Sequence, residues 1–379
     1  MDGLAPLVEC HHFDAFRCRS CSLLEIPRAR QLSDKEMHAR SLVPSPSWLT
    51  TIAGPDSGFR NKAKMAVGGT ATAPTLGILD RAHRGVDLRD CGLHSPGLTS
   101  ALELVAGFIT RADLAPYDVA RRTGELKHVL LTESPDGELM LRLVVRSTAD
   151  ESRIRKHLPW LLETLPSLRV VSLNVQPSHA AVLEGEREIV LTTQAALPMR
   201  LAGLDLALRP QGFFQTNTDV AAALYAQSRD WATALDPASI WDLYSGVGGF
   251  ALACTAPGRT ITGVELSSEA VAAASATAPA GASFVAADAT EWALAQPTSP
   301  ELVIVNPPRR GIGPALGGWL EASDTAHVIY SSCNAATLAD DLATMPSLRP
   351  VEARVLDMFP HTTHYEVIVL LSRRANPHD

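Results

Sequence analysis

After Pro210, short apolar runs alternate with helix-compatible segments, and this rhythm constrains the fold of the 379-residue chain more than any other feature. Residues 239–243, 260–265, 283–286, 302–305 and 326–330 read as strands, each followed by a helical or loop stretch. That succession predicts a doubly wound α/β sheet. The ending differs: residues 351–358 and 365–372 are two strand patterns joined by a short loop over 359–364, a hairpin that closes the sheet. Upstream, the runs 128–132 and 139–145 flank Ser134-Pro135-Asp136-Gly137 and read as another hairpin. A helix over 151–165 and strands at 170–175 and 188–192 follow, making an α+β region. The chain up to residue 98 is turn-rich. The expected division is therefore 1–98 loop-rich, 99–210 α+β and 211–379 doubly wound.

With 46% hydrophobic and 20% charged residues, the chain is globular rather than disordered. It has no run of roughly 18 apolar residues, and its first ten residues lack a basic stretch before an apolar core. Neither a membrane span nor a leader is expected, and the expected location is cytoplasmic. The net charge of −8 is uneven. Residues 211–379 carry 8 Lys+Arg and 17 Asp+Glu of the totals 33 and 41, leaving 25 and 24 for residues 1–210. If one half meets nucleic acid, it is the first.

The first strand of the sheet runs into Tyr244-Ser245-Gly246-Val247-Gly248-Gly249-Phe250, placing glycines where backbone must approach a ligand closely. Glu265 ends the next strand, where a carboxylate can accept both ribose hydroxyls, and Asp288 follows the third strand, where an adenine contact is expected. A dinucleotide dehydrogenase has a similar layout, but the turn here is G-x-G-G rather than G-x-G-x-x-G. With no pyrophosphate to seat, it favours a methionine-bearing nucleoside.

The fourth strand ends in Asn306-Pro307-Pro308-Arg309, with Arg309 where amine-methylating enzymes place a stacking aromatic residue. A substrate amine is disfavoured, and the arginine is suited to holding RNA phosphate or ordering a catalytic loop. The fifth strand delivers Cys333 to the same edge. Carbon 5 of uracil is a poor nucleophile until a thiolate adds to carbon 6 and turns the ring into an enolate. After methylation a base must remove the carbon-5 hydrogen. Glu366, entering the apolar strand Val367-Ile368-Val369-Leu370-Leu371, is the favoured base, with His364 on the same strand face in reserve.

The remaining cysteines divide in two. Cys10, Cys18, Cys21 and Cys91 can close a tetrahedral site for Zn²⁺ or for an iron–sulfur cluster, and spacing does not choose between them. Cys254 reads as a small buried hydrophobe.

These segments together, with Phe59-Arg60-Asn61-Lys62 and Gly212-Phe213-Phe214-Gln215-Thr216-Asn217, resemble the bacterial RNA uracil-C5 methyltransferase family, most of all its short 23S ribosomal RNA branch. The resemblance spans nearly the whole chain. It implies S-adenosylmethionine as cofactor, contacted by Gln215, Tyr244, Glu265 and Asn306 beside the glycine loop of Gly246 and Gly248. It also implies Cys333 as nucleophile, Glu366 as proton acceptor, and a [4Fe–4S] cluster on Cys10, Cys18, Cys21 and Cys91. The implied substrate is a hairpin-loop uridine of 23S rRNA, with no membrane and no obligate protein partner. Ser245 stands where relatives commonly carry Cys, which leaves the loop intact. The β-barrel RNA-binding domain of larger relatives is not expected ahead of Cys10. Two rival expectations are the same chemistry on a transfer RNA T-loop, and a non-catalytic RNA-binding metalloprotein.

Overall fold

Runs of Val, Ile and Leu lose least when both faces of a strand are covered, and Leu302–Val305 is wholly buried. In the computed structural model, which describes residues 8–179 and 182–373, that strand lies between Ser239–Leu243 and His327–Ser332. Thr260–Glu265 and Ala282–Ala286 extend the other side, and all five are parallel. The chain order therefore reverses at Ser239–Leu243, which opens a crevice at the carboxyl ends of the strands. The closing hairpin consists of Leu348–Asp357 and Glu366–Arg373, the latter antiparallel to His327–Ser332. Helices cover both faces, with Leu224 and Phe250 packed among one core and Leu316 and Leu338 among the other.

A second sheet of seven strands runs in the order Gly85–Asp87, Ala73–Leu79, Lys62–Thr70, Leu126–Glu133, Leu139–Val145, Leu168–Val175, Arg187–Val190. Helix Pro96–Arg111 buries Leu98, Leu102, Val105 and Ile109 against it. Ser95 caps that helix by accepting from the Leu98 N–H, and Pro96 begins it where no N–H is needed. The hairpin expected near 128–145 is present, with Glu133 paired to Leu139.

The sheet crosses the expected division at residue 98, because the stretch that reads as loop-rich contributes three of its strands. Its glycines signal turns in the sequence, yet several are strand residues where backbones come close. A Cβ on Gly68 would lie 2.7 Å from the Cα of Gly85, and one on Gly77 would collide with the Val86 carbonyl. Earlier residues join the other sheet instead: Ser47–Trp48 and Ile52–Ala53 pair with Leu348–Asp357. Helix Arg28–Leu42 docks there through Lys35, whose Nζ lies 2.5 Å from the buried Asp357 carboxylate, and through Arg28 on the same group. No helix among the described residues is long and apolar enough to cross a membrane.

Candidate active site and cysteine site

The crevice is shaped by the turn after Ser239–Leu243. Tyr244, Gly246 and Gly248 take positive φ values of 66°, 54° and 85°. Only glycine adopts these without strain, and Tyr244 is held there by its surroundings. A Cβ on Gly246 would meet nothing, so that glycine serves the turn, whereas one on Gly248 would strike Phe284 at 2.8 Å. Glu265 is fixed from both sides: the Gly246 N–H donates to Oε2 at 3.0 Å and the Ser267 N–H to Oε1 at 2.9 Å.

The turn walls a cavity of about 600 Å³, into which Gln215, Tyr244, Gly246, Glu265, Asp288 and Asn306 all look. Gly248 stands behind it as packing. Asp288 also caps a helix, its Oδ1 accepting from the N–H groups of Thr290 and Glu291. The donor set suits a ribose and a charged amino acid, and Ser245 Oγ, buried in the wall, has no hydrogen-bond partner. Phe213 and Leu266, 67% and 74% exposed, form apolar lips at the mouth. An adenosyl group fits this wall. Leu266 does not stand out in the sequence, because it is a single apolar residue after Glu265, whereas Phe213 lies within the Gly212–Asn217 motif.

Cys333 and Glu366 line the same cavity. The strand His327–Ser332 runs two residues further than its sequence pattern suggests, and Ser332 pairs with Val367. Register therefore puts Cys333, one residue past the strand, next to Glu366, where the returning strand begins. Glu366 is buried, accepts a hydrogen bond from Ser331 Oγ, and has its pKa lifted by burial to about 7. Burial and then the Glu366 charge push the Cys333 thiol up, while the Arg309 guanidinium, hydrogen-bonded to it, pulls the other way. The Arg309 carbonyl accepts from Asn334 Nδ2 at 3.2 Å and Thr337 Oγ1 at 3.1 Å, so this residue orders the loop that follows Cys333.

His364 is placed differently from its expected position. The strand starts at Glu366, so the alternation does not reach it, and it is exposed while Glu366 is buried. His361 is structural: its Nε2 bonds the Asp56 carbonyl at 2.7 Å, and its N–H donates to Gln31 Oε1 at 3.0 Å. A second cavity of about 490 Å³ opens on the other side of Cys333, between Lys35 and His38 of helix Arg28–Leu42 and the segment Thr363-His364-Tyr365.

The four other half-buried cysteines come together from two segments. Burial and the mutual repulsion of Cys91, Cys18 and Cys10 raise the Cys21 thiol to about 11, and burial raises Cys91. Cys10, Cys18 and Cys91 thus lie close enough to Cys21 to disfavour its ionisation, and four thiols drawn together in this way are the donor set that a metal centre uses. Asp90 ties the segments together, meeting His12 Nε2 at 2.6 Å and His11 Nε2 at 3.3 Å. Cys254 is buried against Ser228, away from both sites.

Residues 296–374 match the family described as tRNA (Uracil-5-)-methyltransferase. The chain is 48% identical over 374 residues to the 23S rRNA (uracil(747)-C(5))-methyltransferase RlmC of Serratia proteamaculans, covering 97% of this chain and 100% of that protein. The protein of the same name from Escherichia coli K12 is 47% identical over 375 residues, with the same coverage. Among solved structures, the Pyrococcus abyssi tRNA (uracil-54, C5)-methyltransferase in complex with S-adenosyl-L-homocysteine superposes with a TM-score of 0.76 at 24% identity. That match covers 93% of this chain and 85% of the other, and it shares the mixed α/β fold.

Proposed function

The chain belongs to the RNA uracil-C5 methyltransferase family, and on that premise we propose that it methylates carbon 5 of a 23S rRNA uridine, the counterpart of the one for which its relatives are named. The observation that carries the reading is the meeting of Cys333 and Glu366 in one cavity with the glycine turn and Glu265. S-adenosylmethionine, held by Gln215, Tyr244, Glu265 and Asn306 with Asp288 nearby, supplies an electrophilic methyl group.

Cys333 adds through Sγ to carbon 6 of the flipped uracil, and the ring electrons move to carbon 5, which takes the methyl group as the methyl–sulfur bond breaks and its electron pair stays on the departing neutral thioether. Glu366 then takes the proton from carbon 5, the ring double bond re-forms, and the sulfur leaves carbon 6. A carboxyl with pKa about 7 suits this task, since it is substantially ionised near neutrality and still basic enough to accept the proton. Arg309, donating to the thiol, favours the thiolate that opens the sequence.

The substrate is read as a hairpin-loop uridine, because an unpaired base costs less to flip, and the cavity beside Lys35 and His38 gives the RNA strand a way past Cys333. The balanced charge of residues 1–210 leaves that half as the RNA-facing part, with residues 99–210 as its α+β body, and the protein works in the cytoplasm with its RNA. Cys10, Cys18, Cys21 and Cys91 hold a [4Fe–4S] cluster, which cross-links two segments and places a compact anionic group between them.

The test is methylation of two transcripts, a 23S rRNA fragment and a transfer RNA, with 5-methyluridine quantified by mass spectrometry. The expected product is in the rRNA alone. Product only in the transfer RNA moves the reading to the T-loop, and none in either leaves an RNA-binding protein without this activity.

A further inference from the structure

Behind the reacting groups, three parts of the site's frame meet on one carboxylate. Asp341, on helix Ala335–Ala343, is 5% exposed and accepts three hydrogen bonds, each from a neutral donor. Tyr330 Oη donates to Oδ2 at 2.5 Å, the Ile312 N–H to Oδ2 at 2.9 Å, and the Gly313 N–H to Oδ1 at 3.1 Å. Taking a carboxylate out of water is costly, and these bonds offset that cost only while all three donors stay where they are.

The donors come from the two sides of the chemistry. Tyr330 is wholly buried on the strand that delivers Cys333, three residues before it, and the helix that carries Asp341 begins two residues after it. Ile312 and Gly313 end the loop that starts at Asn306 and carries Arg309. The same helix grips that loop at its other end, where Asn334, its N-cap, and Thr337 hold the Arg309 carbonyl. Between the two grips the Gly311 N–H closes a turn on the Pro308 carbonyl at 2.9 Å. Gly311 has a φ of 80°, and a Cβ there would strike Asp341 Oδ2, so the loop lies directly on the carboxylate.

We propose that Asp341 is a positioning residue for the methyl transfer, its carboxylate locking the loop that carries Arg309 to the strand and helix on either side of Cys333, so that arginine and nucleophile keep one spacing. This rests on the methyltransferase reading above. Arg309 and Cys333 line the cavity, and Asp341 acts through them from behind its wall. An amide cannot take its place. All three incoming groups donate, so an Asn Nδ2 in either orientation faces an N–H.

The experiment uses the full-length wild type, Asp341→Asn, Tyr330→Phe, Arg309→Met and the double variant of Asp341 and Arg309. It measures methyl transfer to the 23S rRNA transcript, thermal stability, and the pH dependence of Cys333 alkylation by iodoacetamide, read from the mass of the Cys333 peptide. Asp341→Asn should lower kcat by about tenfold to a hundredfold with the KM for S-adenosylmethionine little changed. Its Cys333 should alkylate several times more slowly near neutrality and need a higher pH. That shift should vanish where Arg309→Met is already present, because the group being positioned is gone. Tyr330→Phe removes one donor and keeps the carboxylate, so it should show the same changes to a smaller extent.

Wild-type turnover and alkylation in Asp341→Asn would overturn the proposal, as would an alkylation shift that adds in full to that of Arg309→Met. A loss confined to thermal stability, or to the KM for S-adenosylmethionine, would also overturn it. Where Asp341→Asn does not fold, Tyr330→Phe decides, and wild-type behaviour in that variant sinks the idea. A wild type that methylates no transcript overturns the methyltransferase reading instead, and the alkylation profiles separate that result from a failure of Asp341 to set the spacing.

Discussion

Cys333 and the four-cysteine site are both built from half-buried thiols, yet the chain holds them in opposite ways. Cys333 follows directly on a strand whose register with Glu366–Arg373 is fixed through six residue pairs, and its loop is tied down by Asn334 and Thr337 on the Arg309 carbonyl. The other site joins segments some seventy residues apart in sequence, and the direct side-chain link between them is Asp90, itself exposed, with His11 and His12. The sheet fixes the position of Cys333 by its own register. The proposed cluster site has no such frame, and the pairs that Asp90 makes across it are partly or fully exposed on its side, where they contribute little.

The largest expected effect falls on the sheet-held side. Glu366→Gln keeps the side-chain size and the Ser331 contact but cannot accept the proton, so turnover should drop by about 10²–10⁴-fold while methylated protein–RNA adduct accumulates. Single-turnover kinetics with denaturing gels would measure both, and turnover near the wild type would move the base elsewhere. On the other side, Cys21→Ala should empty the site of iron and lower the melting temperature by several degrees, with a smaller loss of activity. Equal iron content in that variant would break the contrast between the two sites.

A pH profile sharpens the comparison further. Glu366 takes a proton only when ionised, and burial has raised its pKa to about 7. The Cys333 thiol, also raised, must ionise to attack. Both requirements give a rate that climbs with pH through neutrality. Arg309→Met removes the group that pulls the thiol down, so the alkaline limb should move to higher pH. A profile that stays in place would deny Arg309 that role. The smallest effect concerns the cofactor wall. Asn61 Nδ2 donates to the Gln215 carbonyl at 2.9 Å, so Asn61→Ala should raise the KM for S-adenosylmethionine a few-fold with little change in kcat.

The same contrast explains what could be read in the chain. Three of the five parallel strands have the bounds read from their apolar runs, because strands covered on both faces leave an unbroken signal. The glycine turn, Glu265 and Cys333 were legible because they sit at those strands' ends. Strands Lys62–Thr70 and Ala73–Leu79 were not, since Gly68, Gly69 and Gly77 serve close backbone packing and read as turns. Ser331 was also out of reach as a partner, since it bonds a residue 35 positions away and no local pattern records that.

The central claim is a covalent bond from Cys333 to carbon 6 of the target uracil. It is tested most directly with an RNA hairpin carrying 5-fluorouridine, which has no removable hydrogen at carbon 5, incubated with the protein and S-adenosylmethionine. The account predicts a denaturation-resistant complex whose peptide map places the methylated fluorouridine on Cys333, and no complex from Cys333→Ala. Methylation without any covalent complex, or an adduct on another residue, would contradict it.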